Sequence, residues 1–474
     1  MQLLQSRLIY LIGKLFRAHE KPMTTGHMLG KIEVLAHPHC FLPRDDNMTL
    51  STTRRTFLTS SVASTAAVSL AFPGAFAGGS EELRIGLVGC GGRGTKAAIE
   101  ALRADKNSKL VAMCDVFKDR LESSLNSLTK GKESRDVVSR IDVPPDRCFD
   151  GFDGYKKLID CVDVVLLCTP PGFRPQHLRA AVTAGKHVFC EKPVAVDVPG
   201  IKSVIESAQI AKKNGTGLCS GYCWRYDFAK RETVQRIHDG LIGDVLALHI
   251  TYMTGPLWDR GTKDPYTTLE YQMRNWYYFS WLSGDFIVEQ HCHNFDKANW
   301  VLRGAIPIAA TGVGGRQVRT APKWGNIYDH FACTLEFPNG VKIFSACRQM
   351  AGCQSDVNDH VYGTKGQAHL MRDPHPEIIT GDKTWVYSGP SNDMYQQEHN
   401  ELFASIRAGK PINDGETAAH SSALAIFARE AAYSGKRLTW KQFMASQRTL
   451  GPKELTWGEN PAEEIPMPGT YKFV

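Results

Sequence analysis

The sequence predicts an α/β domain on a doubly wound parallel sheet, followed by an α+β domain with a large, open, mostly antiparallel sheet. Three observations predict it. Strand-like and helical segments alternate from residue 83 to about 220; turn-punctuated strand-like runs then replace the alternation; two amphipathic helical patterns follow near the C-terminus. Alternation dictates parallel pairing, because each helix returns the chain to start the next strand in the same direction. The 474 residues suffice for two cores, and 42% hydrophobic with 22% charged residues is ordinary globular composition.

The first 77 residues read as a leader. They hold eight Lys/Arg and four Asp/Glu, so the remainder carries a net charge of only +3. That is too little, and too scattered, for a nucleic-acid surface, and no nucleic-acid partner is expected. "TTRRTFLTSSVASTAAVSLAFPGAFAGG" pairs Arg54 with Arg55, continues with a short apolar stretch and ends in Ala75-Phe76-Ala77, a small-x-small cleavage pattern. Ser, Thr and Pro73 break the apolar stretch, so no stable membrane insertion is expected. Residues 48–77 resemble a twin-arginine export signal, a route for folded proteins. The resemblance implies the twin-arginine translocation machinery as a partner, cleavage after Ala77 and a periplasmic location. Such a signal opens a chain, and Met48 lies six residues before Arg54. Translation is therefore expected to start at Met48, with residues 1–47 an upstream extension. The thirteen cysteines include no Cys-x-x-Cys pair; Cys90, Cys114, Cys168, Cys190, Cys219 and Cys333 sit in apolar strand-like runs, as small hydrophobes of a core.

"LRIGLVGCGGRGTKAAIEALRA" joins a buried strand, Leu83 to Val88, to a helical pattern through Gly89-Cys90-Gly91-Gly92-Arg93-Gly94. In a G-x-G-x-x-G turn between strand and helix, the glycines let the backbone approach a pyrophosphate resting on the helix N-terminus. Gly89, Gly91, Gly92, Arg93 and Gly94 are therefore candidate cofactor contacts. "KLVAMCDVF" ends a second strand in Asp115, 21 residues after Gly94. A carboxylate there binds the ribose 2′-hydroxyl of NAD and repels the 2′-phosphate of NADP. Later units end strands at Thr169-Pro170 and at Glu191-Lys192-Pro193, the carboxyl edge where such sheets bind ligands. Thr169, Pro170, His177, Glu191 and Lys192 complete the cofactor candidates, and Lys192 is also placed for chemistry.

"GLVGCGGRG", "TPPGFRPQHLRAAVTAGKHVFCEKP" and "SGDFIVEQHCHNFD" together resemble the glucose–fructose oxidoreductase / inositol dehydrogenase / rhizopine catabolism (Gfo/Idh/MocA) family, over residues 83 to 440. The resemblance implies a Rossmann domain, expected over 83–220, and an α+β domain, expected over 221–430. It further implies a C-terminal segment, 431–474, packed back on the protein. It implies a carbohydrate substrate and a homo-oligomer, dimer or tetramer, formed through the open sheet.

After residue 220, "DVLALHITYM", "IPIAATGVGG", "HFACTLEFPNGVKIFSACRQM" and "KTWVYSG" read as strands, with Pro338-Asn339-Gly340 a hairpin turn. "HNELFASIRAG" and "HSSALAIFAREAAYSG" read as helices closed by glycine. "SGDFIVEQHCHNFDKANWVLRG" is predicted as one helix of about four to five turns, capped by Ser283 or Asp285 and ended by Gly304. On that helix His291 and His293 point in different directions, so no metal site is expected. Glu289 and His293, four apart, share a face, and a carboxylate against an imidazole suits a general base. The resemblance places an aspartate where this chain has Glu289, and places His291 where it would line the pocket.

The expected chemistry is hydride transfer. His293, oriented by Glu289, takes a hydroxyl proton, Lys192 stabilises the oxyanion, and the nicotinamide accepts the hydride. Arg225, Tyr226, Arg274, Trp276, Tyr277 and His291 are candidate substrate contacts; aromatic faces and guanidinium groups suit sugar rings. An exported enzyme finds no dinucleotide pool outside, so tightly bound NAD is expected. Two other readings differ in class: a redox-neutral oxidation–elimination enzyme that cleaves glycosides, and a non-catalytic sugar-binding regulator. The His-Gly-x-Gly-Pro element of one glycosidase branch of the family is missing from this sequence.

Overall fold

The computed structural model describes residues 81–262 and 267–473, so the leader readings fall outside the described residues. All described residues lie in one unit, Ala71–Val474.

Six parallel strands form the first sheet: β1 (Leu83–Val88), β2 (Ser108–Asp115), β3 (Cys148–Asp150), β4 (Val164–Leu167), β5 (His187–Cys190) and β6 (Leu218–Ser220). Between them run α1 (Gly92–Ala104), α2 (Lys118–Lys130), α3 (Gly154–Cys161), α4 (Arg174–Thr183) and α5 (Val198–Asn214). Helices on both faces bury the central strands, which is why β4 is an unbroken Val/Leu run with every residue at 0% exposure. Local chemistry sets both ends of α5. The Asp197 side chain accepts the Gly200 N–H at the start of α5, and Gly215, at φ 68°, ends it. The strand order β3-β2-β1-β4-β5-β6 reverses direction between β1 and β4, and a crevice opens there at the carboxyl ends.

Helix α6 (Phe228–His238) leads to β7 (Val245–Thr254), followed by α7 (Thr268–Arg274), α8 (Ser280–Ser283), α9 (Phe286–Glu289) and α10 (Cys292–Val301). The remaining strands are β8 (Ala309–Gly315), β9 (His330–Glu336), β10 (Lys342–Gln349), β11 (Asp356–Gly363), β12 (Gln367–His369), β13 (Glu377–Thr380), β14 (Lys383–Val386) and β15 (Leu438–Thr439). With β7 they form one sheet of order β14-β13-β12-β11-β7-β10-β9-β8-β15, antiparallel except for the β7–β10 pair. The hairpin between β9 and β10 turns at Asn339 and Gly340, both with positive φ. Alternation sets the faces. Ile343, Ser345 and Cys347 are buried, while Phe344 shares the opposite face with Val313 and Tyr362, which are 44%, 68% and 38% exposed.

Helix α11 (Met394–Arg407) packs on α1, and α12 (Gly415–Ser434) on α5, α10 and β8. Every residue of α12 from Ser421 to Ser434 is buried, as its Ala-rich sequence permits. After α13 (Trp440–Ala445) the chain runs as a strap without helix or strand to Phe473. The Leu450 N–H donates to Asp197, and Asn460 exchanges hydrogen bonds with Gln272 of α7. Between them the Trp457 ring packs 5.7 Å from Phe117 and 4.8 Å from Phe152. Both of those phenylalanines line the cavity described next.

Candidate active site

The glycine-rich turn shapes one wall of a cavity of about 560 Å³. Gly89 has φ +98°, and a Cβ on Gly94 would sit 1.9 Å from the Gly89 carbonyl oxygen, so both positions require glycine. A Cβ on Gly91 or Gly92 would meet nothing within 4 Å, and both residues border the cavity. That open space lies at the N-terminus of α1, which has no capping side chain and no acid in its first turn. It is the cradle a pyrophosphate fits. Asp115 ends β2 on the same cavity, its carboxylate accepting the Cys90 N–H at 2.7 Å and the Phe117 N–H at 2.9 Å. Thr169, Pro170 and His177 also line it, with Thr169 Oγ1 3.3 Å from His177 Nδ1. Burial, then Arg174, lowers the His177 pKa to about 3, so its ring is neutral.

Arg93 borders the cavity but its guanidinium is committed elsewhere, to Glu191 at 2.5 Å, Glu100 at 2.6 Å and Glu398 at 3.0 Å. Glu191 likewise faces Arg93 while its second oxygen accepts the Lys192 N–H at 3.1 Å.

Lys192 leaves β5 toward the second domain. Its Nζ donates to the Glu289 carbonyl oxygen at 2.6 Å and to Glu289 Oε1 at 3.0 Å. Burial pulls the Lys192 pKa down, but Glu289 outweighs it and the net shift is upward. Lys192 is an ammonium.

The single helix predicted over 283–304 is two helices. Asp285 caps α9 through the Phe286 N–H at 2.6 Å, but the His291 N–H reaches back five residues to the Phe286 carbonyl oxygen. One extra residue in a turn rotates everything after it by about 100°. Glu289 and His293 both line the cavity, but the expected carboxylate–imidazole pair is replaced by the Glu289–Lys192 pair. His293 lines the cavity, edge-on to the Tyr222 ring, with a buried Nδ1 that has no partner among the described residues. Burial, then the charges of Lys192 and Lys297, lowers its pKa well below the ordinary 6.5, so it is a neutral base.

The same rotation turns His291 away from the cavity. It is fully buried, with its ring nitrogens 3.2 Å from Asn294 Oδ1 and 2.9 Å from Ser345 Oγ. Three other substrate candidates also lie outside the cavity. Arg225 is bound to Asp296 at 2.8 Å; the Tyr226 hydroxyl contacts Cys219 and Asp414; the Tyr277 hydroxyl accepts a hydrogen bond from Gln349. Each satisfies a buried partner, a demand that local sequence does not reveal. Arg274 and Trp276 do line the cavity. Arg274 packs 4.0 Å over Phe117 and bonds to Asp119, joining the two domains. Sequence reasoning missed Phe117, Phe152, Trp258, Arg260 and Tyr395, all on the cavity wall. Phe117, two residues past Asp115, had a positional signal; Trp258 and Tyr395 had none. Among the described residues no group of three His, Cys, Asp or Glu could hold a metal ion, and no helix is long and apolar enough to cross a membrane.

A six-stranded sheet of this order with a glycine cradle at its switch point defines a dinucleotide-binding protein. The model of the oxidoreductase family with NAD-binding Rossmann fold matches residues 83–217, and that of the GFO/IDH/MocA C-terminal domain matches 231–369. The chain belongs to the Gfo/Idh/MocA family of NAD(P)-dependent oxidoreductases. It is 25% identical over 326 residues to an inositol 2-dehydrogenase of Rhizobium meliloti, covering 68% of this chain and 86% of the relative. It is 27% identical over 360 residues to a glycosyl hydrolase family 109 protein of Streptomyces coelicolor, covering 70% and 71%. Among solved structures, an aldose-aldose oxidoreductase of Caulobacter crescentus complexed with glycerol matches with a TM-score of 0.59 at 19% identity, over 76% of this chain and 100% of that one. Scyllo-inositol dehydrogenase of Lactobacillus casei, with bound NAD(H) and scyllo-inositol, matches at 0.57 and 18%, over 77% and 100%.

Proposed function

We propose that this chain is an exported NAD-dependent oxidoreductase acting on a hydroxyl of a sugar, glycoside or cyclitol, with Lys192 and His293 as its catalytic pair. One observation carries the reading: a charged ammonium and a neutral imidazole line one cavity beside a dinucleotide cradle. The nicotinamide, when bound, supplies the hydride acceptor. The protein moves the proton. His293 accepts it from the substrate hydroxyl, and Lys192 stabilises the negative oxygen that develops. An ammonium has three donors, and Glu289 takes two of them, leaving one for the substrate oxygen. Glu289 thus acts on Lys192, holding it charged and aimed. The inositol dehydrogenase relative supports a polyol substrate, and the Trp258 and Trp276 faces suit ring C–H groups.

NAD rather than NADP is supported by Asp115, a carboxylate held by two backbone N–H groups where a ribose would lie. Arg120 and Arg260, also on the cavity wall, are the groups that would favour a 2′-phosphate instead. The leader supports export to the periplasm through the twin-arginine machinery, and export supports a dissociation constant well below micromolar, about −8 kcal/mol or tighter. Both are tested by desalting the purified protein without added nucleotide, denaturing it and quantifying what is released. Near-stoichiometric NAD is expected; chiefly NADP would remove the Asp115 argument, and an empty protein active only with added NAD would remove the export argument. The sheet face bearing Val313, Phe344 and Tyr362 supports a homo-oligomer through the open sheet, checked by light scattering.

The family 109 relative favours a second reading, redox-neutral glycoside cleavage, in which oxidation of a ring carbon acidifies the neighbouring C–H and the aglycone is eliminated. Incubation with sugars and glycosides, following reduced nicotinamide and free aglycone separately, decides between them. Aglycone without net reduction selects cleavage.

A further inference from the structure

The turn that carries Lys192 is held from behind by charges that the proposed chemistry does not use. Arg93 spends its guanidinium on three carboxylates: Nε on Glu191, Nη1 on Glu100 of α1, and Nη2 on Glu398 of α11, 305 residues along the chain. Glu191, Glu100 and Glu398 are 5%, 2% and 0% exposed. Lys96 reaches Glu100 only at 3.7 Å with a half-exposed side chain, and the buried His399 ring beside Glu100 is neutral because burial lowers its pKa. Three buried carboxylates about one partly buried cation cannot all be charged at low cost. Burial pushes the Glu398 carboxyl well up and the Glu100 carboxyl up, so Glu398 is the member that most readily keeps a proton. Burial acts on Glu191 too, but Arg93 and Arg174 outweigh it and bring it down, so Glu191 is the ionised member.

Glu191 is also the member that touches the catalytic turn. One oxygen faces Arg93; the other accepts the Lys192 N–H. Gly221 leaves it room: a Cβ there would lie 2.7 Å from Glu191 Oε2.

We propose that Arg93 is a positioning residue for Lys192, clamped by Glu100 and Glu398, and that it holds Glu191 so that Glu191 fixes the main chain from which the Lys192 side chain reaches the substrate oxygen. The proposal rests on the reading of Lys192 as catalytic. It gives α11, distant in sequence from every catalytic candidate, a direct mechanical tie to the reacting group. It also gives the arginine of the glycine-rich turn a task other than holding phosphate.

The test compares Arg93→Lys, Glu398→Leu and Lys192→Ala with the unaltered full chain, measuring kcat, KM for the substrate and nucleotide released on denaturation. Arg93→Lys is expected to lower kcat about tenfold or more, because a lysine reaches one carboxylate where arginine reaches three, with KM and nucleotide content within about twofold. Glu398→Leu removes a neutral carboxyl, not a cation, and serves if Arg93→Lys does not fold. Its kcat is expected to fall about threefold to tenfold, again with nucleotide content kept. Loss of nucleotide with kcat per bound nucleotide intact would overturn the proposal and return Arg93 to phosphate binding. Unchanged kcat in the folded variants would overturn it too. If Lys192→Ala retains its turnover, the catalytic reading itself falls; if Lys192→Ala is inactive while both clamp variants turn over normally, only this proposal falls.

Discussion

The two walls of the cavity are built on opposite principles. On the first-domain wall the polar side chains already have protein partners: Asp115 holds two N–H groups, Arg93 three carboxylates, and Glu191 both an arginine and a backbone N–H. What that wall offers a ligand is backbone and space, at Gly91 and Gly92. The rest of the cavity differs: Lys192, at the end of β5, keeps a spare donor, and from the second domain the neutral His293 ring and the Trp258 and Trp276 rings line it. One wall is finished before anything binds; the other is completed by its ligand. The difference teaches where specificity resides. A cofactor common to many enzymes is met by fixed backbone, and the variable partner by side chains with capacity left over.

The sharpest way to break this comparison is to remove the side chains with spare capacity. Lys192→Ala and His293→Ala are each expected to lower kcat by about a hundredfold or more while released nucleotide stays near-stoichiometric. Near-normal turnover in either would place the chemistry elsewhere. Glu289→Gln comes next, at about tenfold, since it leaves Lys192 in place but uncharges its partner.

The pH profile sharpens the same point. The lowered His293 pKa means that the ring loses its proton early, so the acid limb of kcat/KM should lie well below pH 6.5. Lys192, its pKa raised above 10.5, keeps its proton late, so the basic limb should lie above pH 10.5. In Glu289→Gln the main raising influence goes while burial remains, and the basic limb should move toward neutrality. An acid limb at or above pH 6.5 would contradict the neutral imidazole.

Trp276→Ala should raise KM about threefold to tenfold with kcat little changed, as expected where uniform binding is lost. The smallest effect on catalysis is expected at His291→Ala. It should destabilise by about 2 kcal/mol in chemical denaturation, by stripping partners from Ser345 and Asn294, yet leave the kcat of the folded fraction within about twofold.

The first domain was legible because its signals are local. The glycine turn, Asp115 and the Glu-Lys-Pro turn each sit at a strand end, and strand ends can be read from runs of apolar residues. The segment that carries Glu289 and His293 was legible only in part. Its residues were found, but periodicity assumes a single helix axis, and the five-residue hydrogen bond at His291 adds a residue that no periodicity reveals. His293 stayed on the cavity, while His291 turned away from it and Glu289 took Lys192 rather than His293 as its partner. Glu398 was not legible at all: its meaning is given by Arg93, which only folding brings near. Arg225, Tyr226 and Tyr277 failed for the same reason.

The strap that follows α13 has a bearing on the order in which the molecule is made. Trp457 backs Phe117 and Phe152, and it is synthesised after every residue that lines the cavity. While the chain is still on the ribosome, a bound nucleotide would rest against two phenylalanines with nothing behind them. That end of the cavity is therefore backed only once Trp457 has emerged and the strap has packed down. A protein cut short before Trp457 would keep Lys192 and His293 and lose the ring that backs Phe117 and Phe152.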